Sequence, residues 1–161
     1  MQRIARVLTV SDRSAAGVRE DRAGPLAVGM LRDAGWDCAD AEVVPDGADS
    51  VEAALRRATV DGPVLVVTTG GTGVGPRDAT PEGTARVLTR VIPGIGEELR
   101  RSGVADTPLA LISRGLAGVV EPAGALVVNL PGSPRAVAAG IPVVLSVAAH
   151  VLDQLAGGDH G

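Results

Sequence analysis

The 161-residue chain carries a net charge of −4, with 45% hydrophobic and 21% charged residues, which is the make-up of one soluble globular domain spanning 1–161. It contains no Phe, no Tyr and no Lys, so all 15 basic residues are Arg; Schiff-base chemistry and a Lys-bearing phosphate loop are excluded, and stacking platforms for nucleic acid are nearly so. One cysteine (Cys38) and two histidines (His150, His160) exclude an internal disulfide and an all-protein Cys/His zinc site.

Ile4–Val10 is expected to form a first strand, followed at once by polar Ser11-Asp12-Arg13. Gly24 to Ala34 suits a helix, with Pro25 in its first turn and Gly35 beyond its end. Trp36 to Val44 is expected as a second strand that stops at the turn Pro45-Asp46-Gly47. Val51, Ala54, Leu55 and Ala58 share one helical face within Ser50–Ala58. Val64–Val67, β-branched and uncharged, suits a central strand covered on both sides. Helices are expected over Pro81–Arg90 and Pro93–Arg101, and buried strands over Leu109–Ile112 and Ala125–Val128. Ser133-Pro134 suits an N-cap and first helical residue. The last helix runs from about Val143, with Val144, Val147, Ala148, Val151, Leu152 and Leu155 as its apolar stripe, and the tail Gly157–Gly161 is expected to fray.

The alternation of strands and helices predicts an α/β fold: a three-layer sandwich with a mostly parallel sheet and helices on both faces. Met1–Val10 has no long apolar core of a secretory signal, so a cytoplasmic address is expected. The uncharged stretch Ala136–Leu152, interrupted by Gly140-Ile141-Pro142, suits a buried helix better than a membrane span. Neither nucleic acid nor membrane is an expected partner.

In an open parallel sheet, ligands bind at the carboxyl ends of the strands. There the sequence gathers Ser11-Asp12, Asp46, Ser113-Arg114 and Asn129–Pro134 around the loop Thr69–Pro81, TGGTGVGPRDATP. Gly70, Gly71, Gly73 and Gly75 allow successive backbone N–H groups to face one anion. Thr69 and Thr72 add hydroxyls. Arg77 adds a fork-shaped cation that either grips a phosphate or pairs with a nearby acid. Asp78 beside such a nest suits a divalent metal or the orientation of a nucleophile. Thr80-Pro81 starts the next helix. Asp46 suits an ordinary turn as well as a site, and Asp12 a turn cap as well as a ligand. Asn129 is expected to satisfy backbone groups, and His150 to lie on the surface or at an interface.

Taken in order, SDRSAAGVREDRAGP, VPDG, TTGGTGVGPRDATPE, PGIGEELR, LISRGLAG and VVNLPGSP resemble the molybdopterin adenylyltransferase family, which includes the N-terminal domain of gephyrin. The likeness runs from about Ile4 to Leu155. It implies a homotrimer, a molybdenum-insertion protein as a candidate partner, and a reaction in which the terminal phosphate of molybdopterin attacks the α-phosphate of ATP with Mg²⁺. It also implies that Asp46 and Asp78 are the essential, metal-orienting aspartates, which favours a site role for Asp46 over the turn. Ser11, Asp12, Thr69, Gly70, Gly71, Thr72, Gly73, Arg77, Glu97, Ser113, Arg114, Pro131, Gly132 and Ser133 then fall in the substrate site. Ile95 stands where many members carry Phe, which predicts a thinner pocket wall. The chain after Pro134 is short beside some bacterial members. Two other functions fit the same loops: a molybdopterin carrier without catalysis, and a nucleotide pyrophosphatase like the N-terminal domain of the competence-damage family.

Overall fold

The computed structural model describes residues 2–158. Its seven strands are β1 (Ile4–Val10), β2 (Asp37–Cys38), β3 (Glu42–Val44), β4 (Leu65–Thr69), β5 (Arg90–Val91), β6 (Ala117–Val120) and β7 (Ala125–Leu130). Its helices are α1 (Asp12–Ala15), α2 (Ala23–Asp33), α3 (Ala48–Thr59), α4 (Thr80–Ala85), α5 (Pro93–Gly103) and α6 (Pro134–Leu155), with a 3₁₀ turn at Pro108–Ile112. The strands form one sheet in the order β2-β1-β4-β7-β6-β5, and β3 also pairs with β1. β1 is parallel to β2, β3 and β4, and β4 to β7, whereas β6 runs antiparallel to both β7 and β5.

Side-chain alternation in the central strands divides the core in two. Ala5, Val7, Leu65, Val67, Leu126 and Val128 point to one face, where α2 contributes Ala27 and Leu31 and α6 contributes Val137, Ile141, Val144, Ala148 and Leu152. Leu8, Val10, Val66 and Val127 point to the other, against Val51, Ala54, Leu55 and Ala58 of α3. Helices on both faces of one mostly parallel sheet are the expected three-layer sandwich. α6 is long and apolar enough to cross a membrane by length and composition, yet its buried stripe packs into the first of these cores.

Four expectations about elements need correction. The second strand is two short pieces, because only 37–38 and 42–44 find partners on β1. Leu109–Ile112 is not a buried strand: Thr107 caps the segment by accepting from the Leu109 N–H, Pro108 opens it, and a 3₁₀ turn leaves Leu109, Leu111 and Ile112 exposed. The strand lies further on at 117–120, where Gly118 allows Arg90 and Val91 to approach. The helix expected over Pro81–Arg90 stops at Ala85, which frees Arg90 and Val91 to pair with β6.

α6 begins at Pro134 rather than near Val143. Ser133 accepts from the Ala136 N–H, and the helix continues through Gly140 and Pro142. Its tight packing favours this: a Cβ at Gly140 would press on Leu130 and Leu99. The start of the tail is ordered too, since the Gly158 N–H donates to the Asp153 carbonyl at 2.8 Å. Asp159, His160 and Gly161 lie outside the described residues.

Candidate functional site

The parallel strands β1, β3, β4 and β7 all end on one edge, and the chain reverses direction across the sheet between β1 and β4. The segments leaving these strands border a cleft of about 1040 Å³. Ser11, Asp46, Thr69 to Gly73, Asp78, Ser113 and Pro131 to Ser133 line it.

Glycine is required at the centre for two reasons. A side chain on Gly70 would strike the Val10 carbonyl, and one on Gly71 would strike the Thr80 hydroxyl, with Asp46 Oδ1 close behind. Both residues also hold positive φ, +94° and +69°. The Gly70 N–H is committed to the Leu130 carbonyl at 2.9 Å, so it does not belong to an anion nest. The N–H groups of Gly71, Thr72 and Gly73 donate to no protein group among the described residues, and three successive free amides make such a nest. Beside them, the fully buried Thr69 Oγ1 has no hydrogen-bond partner. A buried hydroxyl left unpaired at a cleft is a donor placed for a ligand.

Asp46 lies close to Gly71 of this turn, and Asp78 close to Gly73 and Gly75. Asp46 Oδ2 accepts from the Asp12 N–H at 2.8 Å, and Asp12 Oδ1 accepts from the Asp46 N–H at 3.1 Å. Asp78 Oδ2 accepts from the Gly75 N–H at 2.9 Å. One oxygen of each aspartate is thereby fixed, and Oδ1 of each has no hydrogen-bond donor among the described residues. Burial pushes the Asp46 carboxyl above its ordinary value, and the neighbouring charges of Asp12 and Asp78 push in the same direction. Hydrogen bonds from Arg77 hold Asp12 below its ordinary value.

Two carboxylates facing one space, each with a free oxygen, suit a divalent cation that completes its shell with waters and substrate phosphates. Among the described residues no group of three or more His, Cys, Asp or Glu could hold a metal alone. Asp46 and Asp78 could hold a divalent cation only together with bound phosphate.

Several expected site residues lie elsewhere. Arg77 Nε and Nη2 bind the Asp12 carboxylate at 3.0 and 3.2 Å, and Nη2 also binds the Asp46 carbonyl at 3.0 Å. Neither Arg77 nor Asp12 borders the cleft. Arg114 is likewise turned away and spent on the Gly73 carbonyl, the Asp78 carbonyl and Glu82. Glu97 is exposed, because the face of α5 that lines the cleft carries Gly96, Leu99, Arg100 and Gly103. Ile95 is buried in the core and not in the cleft wall, so Ile in place of Phe does not thin that wall. Asn129 does line the cleft, but its side chain is spent inside the protein: it donates to the hydroxyls of Thr68 and Thr84, and of the described backbone groups it satisfies only the Leu116 N–H. His150 is exposed on α6, as expected, and meets Gln154.

Sequence reasoning missed four arginines of the cleft lining, Arg19, Arg22, Arg100 and Arg135, which stand there with Glu20, Asp21 and Asp106. The signal was partly there, since five of the 15 arginines fall within the first 22 residues. Arg100 lies one helical turn beyond Gly96, and Arg135 sits in the first turn of the helix that Ser133 caps.

Residues 6–150 match the family model described as a probable molybdopterin binding domain. The "Molybdenum cofactor biosynthesis bifunctional protein" of Synechococcus elongatus is 43% identical over 157 residues, 98% of this chain; the chain spans about half of that relative's length, 49%. The "Molybdopterin adenylyltransferase" of Helicobacter pylori is 34% identical over 154 residues, 94% of this chain and 86% of the relative. Among solved structures, a molybdopterin biosynthesis Mog protein from Mycobacterium ulcerans superposes with a TM-score of 0.86 at 41% identity, covering 98% of this chain and 99% of that one. An α/β sandwich with its cleft at the strand ends defines the class, and the match extends along nearly the whole chain. The protein belongs to the molybdopterin-binding domain family of molybdenum-cofactor biosynthesis.

Proposed function

We propose that the chain is a molybdopterin adenylyltransferase that uses ATP as adenylyl donor with Mg²⁺ and releases pyrophosphate; its family and a relative named molybdopterin adenylyltransferase support this reading. The supporting observation is one cleft that combines free amides at Gly71–Gly73, the unpaired Thr69 hydroxyl and two aspartates, each with a free oxygen. An oxygen of the molybdopterin phosphate attacks the α-phosphorus of ATP. The bond from the α-phosphorus to the bridging oxygen breaks, and pyrophosphate leaves with the electron pair.

Positioning and charge neutralisation dominate such a transfer. The free amides and Thr69 receive phosphate oxygens, while Arg22, Arg100 and Arg135 supply positive charge along the wall. Asp46 and Asp78 orient the reacting phosphates, and Mg²⁺ held between them would offset the charge that two phosphorylated substrates bring together. No covalent nucleophile takes part, in accord with a cleft lined by no Cys and no His among the described residues.

The test is incubation with ATP, Mg²⁺ and molybdopterin, following pyrophosphate and the adenylylated product. Pyrophosphate release that depends on molybdopterin is expected. Tight molybdopterin binding with no turnover would instead make the chain a carrier.

A further inference from the structure

We infer that Arg77 and Arg114 are positioning residues, one braced behind each cleft aspartate, and that neither binds substrate phosphate. The two guanidinium groups do parallel jobs. Arg77 donates to the main-chain carbonyl of Asp46 at 3.0 Å and Arg114 to that of Asp78 at 2.9 Å. Each is anchored on a carboxylate outside the cleft: Arg77 on Asp12 through two bonds, Arg114 on Glu82 at 2.5 and 3.1 Å.

A carbonyl held in place fixes the peptide plane and with it the direction in which the side chain leaves the backbone. For Asp46 the brace has a second stage. Asp12, held by Arg77, accepts from the Asp46 N–H, and the Asp46 carboxylate accepts from the Asp12 N–H in return. For Asp78 the brace is a staple. Arg114 Nε donates to the Gly73 carbonyl at 2.8 Å, its own N–H donates to the Thr72 carbonyl at 2.8 Å, and its other arm reaches Asp78. The turn between, closed by the Asp78 N–H on the Gly75 carbonyl and the Gly75 N–H on the Asp78 carboxylate, is gripped at both ends.

Each brace needs a planar fork that spans two or three acceptors at once. A lysine ammonium cannot reproduce it, although it would serve as a point charge on phosphate. This difference separates bracing from phosphate binding. The effect on turnover rests on the adenylyl-transfer reading; the effect on the turn does not.

The experiment compares Arg77→Ala, Arg77→Lys, Arg114→Ala and Arg114→Lys with wild type. Arg90→Ala, whose ion pair with Glu121 lies away from the cleft, serves as the control. Residue-resolved amide exchange is the first readout. Arg114→Ala is expected to speed exchange at Gly75 and Asp78 by at least about tenfold and to leave Asp12 and Asp46 unchanged, and Arg77→Ala to do the reverse. In turnover, kcat is expected to fall on the order of 10²-fold in the Ala and Lys variants, with ATP affinity measured without metal within about threefold of wild type. Added guanidinium ion should restore part of kcat to the Ala variants.

Amide exchange unchanged in both Ala variants overturns the inference. So does a loss of ATP or pyrophosphate affinity that accounts for the whole defect, with Lys intermediate. If Arg114→Ala does not fold, Glu82→Gln releases the same anchor and is expected to speed exchange at Gly75 in the same direction; no change there overturns the inference. A wild-type protein that proves inactive with ATP and molybdopterin would sink the proposed reaction, while the exchange measurements still decide the bracing.

Discussion

At the scale of single residues, the two coupled aspartates Asp12 and Asp46 affect stability with opposite sign. Burial raises the Asp46 pKa, so its folded form keeps a proton that the unfolded chain has released. Its contribution is neutral below the ordinary value of 3.8 and becomes a cost as pH rises through the raised folded value. Asp46→Asn keeps an oxygen for the Asp12 N–H and removes the buried charge. The variant is expected to melt level with wild type below the ordinary value and at or above wild type at neutral pH, while turnover falls by orders of magnitude. Melting several degrees lower at neutral pH would return Asp46 to the rank of a turn residue. For Asp12 the direction reverses, because Arg77 lowers its pKa. Its stabilisation is present above 3.8 and is lost as pH falls through the lowered folded value. Asp12→Asn is therefore expected to melt below wild type at neutral pH, with the gap closing in acid. A thermal-melt series across pH reads both variants. Asp78→Asn completes the set: its expected result is an intact fold with adenylyl transfer lost, and near-normal turnover would exclude the role.

At the scale of elements, the layer over the second core face depends on how closely α4 approaches α3. A Cβ at Gly83 would press on the Ala48 carbonyl, which is fixed backbone, and on the fully buried Val51 side chain. Gly83→Ala gains intrinsic helix propensity but overpacks this contact, which costs about 1–3 kcal/mol. A lower midpoint in urea with unchanged slope is expected; a stabilised variant would mean that the two helices separate without cost. The same contrast between local and tertiary causes decides what was legible in the sequence. β1, β4 and β7 are apolar runs flanked by loops, and their hydrophobic pattern alone locates them. The cleft-lining loops follow from their position at strand ends. Leu109–Ile112 has the same apolar pattern, yet Thr107 and Pro108 start a 3₁₀ turn, and no neighbouring strand is there to pair with it. Arg77 and Arg114 were legible as cations near a glycine loop. Which way each guanidinium turns depends on Asp12, 65 positions from Arg77, and on Glu82, 32 from Arg114. Spacing along the chain carries no information about such contacts.

At the scale of the whole molecule, the expected homotrimer needs an apolar surface that the subunit does not use itself. The helices flanking the sheet are poorer candidates, because Val144, Ala148 and Leu152 of the α6 stripe are buried, and the half-buried Val147, Val151 and Leu155 pack against the same core. The 3₁₀ turn and the end of α5 fit better. Leu109, Leu111 and Ile112 are 67%, 65% and 50% exposed, and Val104 beside them is 40% exposed. Leucine and isoleucine side chains grouped on one short turn form the kind of patch that marks a contact between proteins, here beside the cleft, which Leu109 and Ile112 also line. Burying each such side chain contributes about 1.5–3 kcal/mol, so three copies burying them together gain enough to offset part of the cost of association. A particle of about three times 16.1 kDa is the expected result of sedimentation equilibrium at micromolar concentration. With Trp36 as the single tryptophan and no tyrosine, interference optics give the better signal. Leu111→Asp places a charge in the patch without entering the core. It is expected to shift the mass toward 16.1 kDa while leaving the circular dichroism of the fold unchanged. A wild-type monomer would refute the trimer outright, whereas a trimer that survives both Leu111→Asp and Leu109→Asp would move the interface to another face of the subunit.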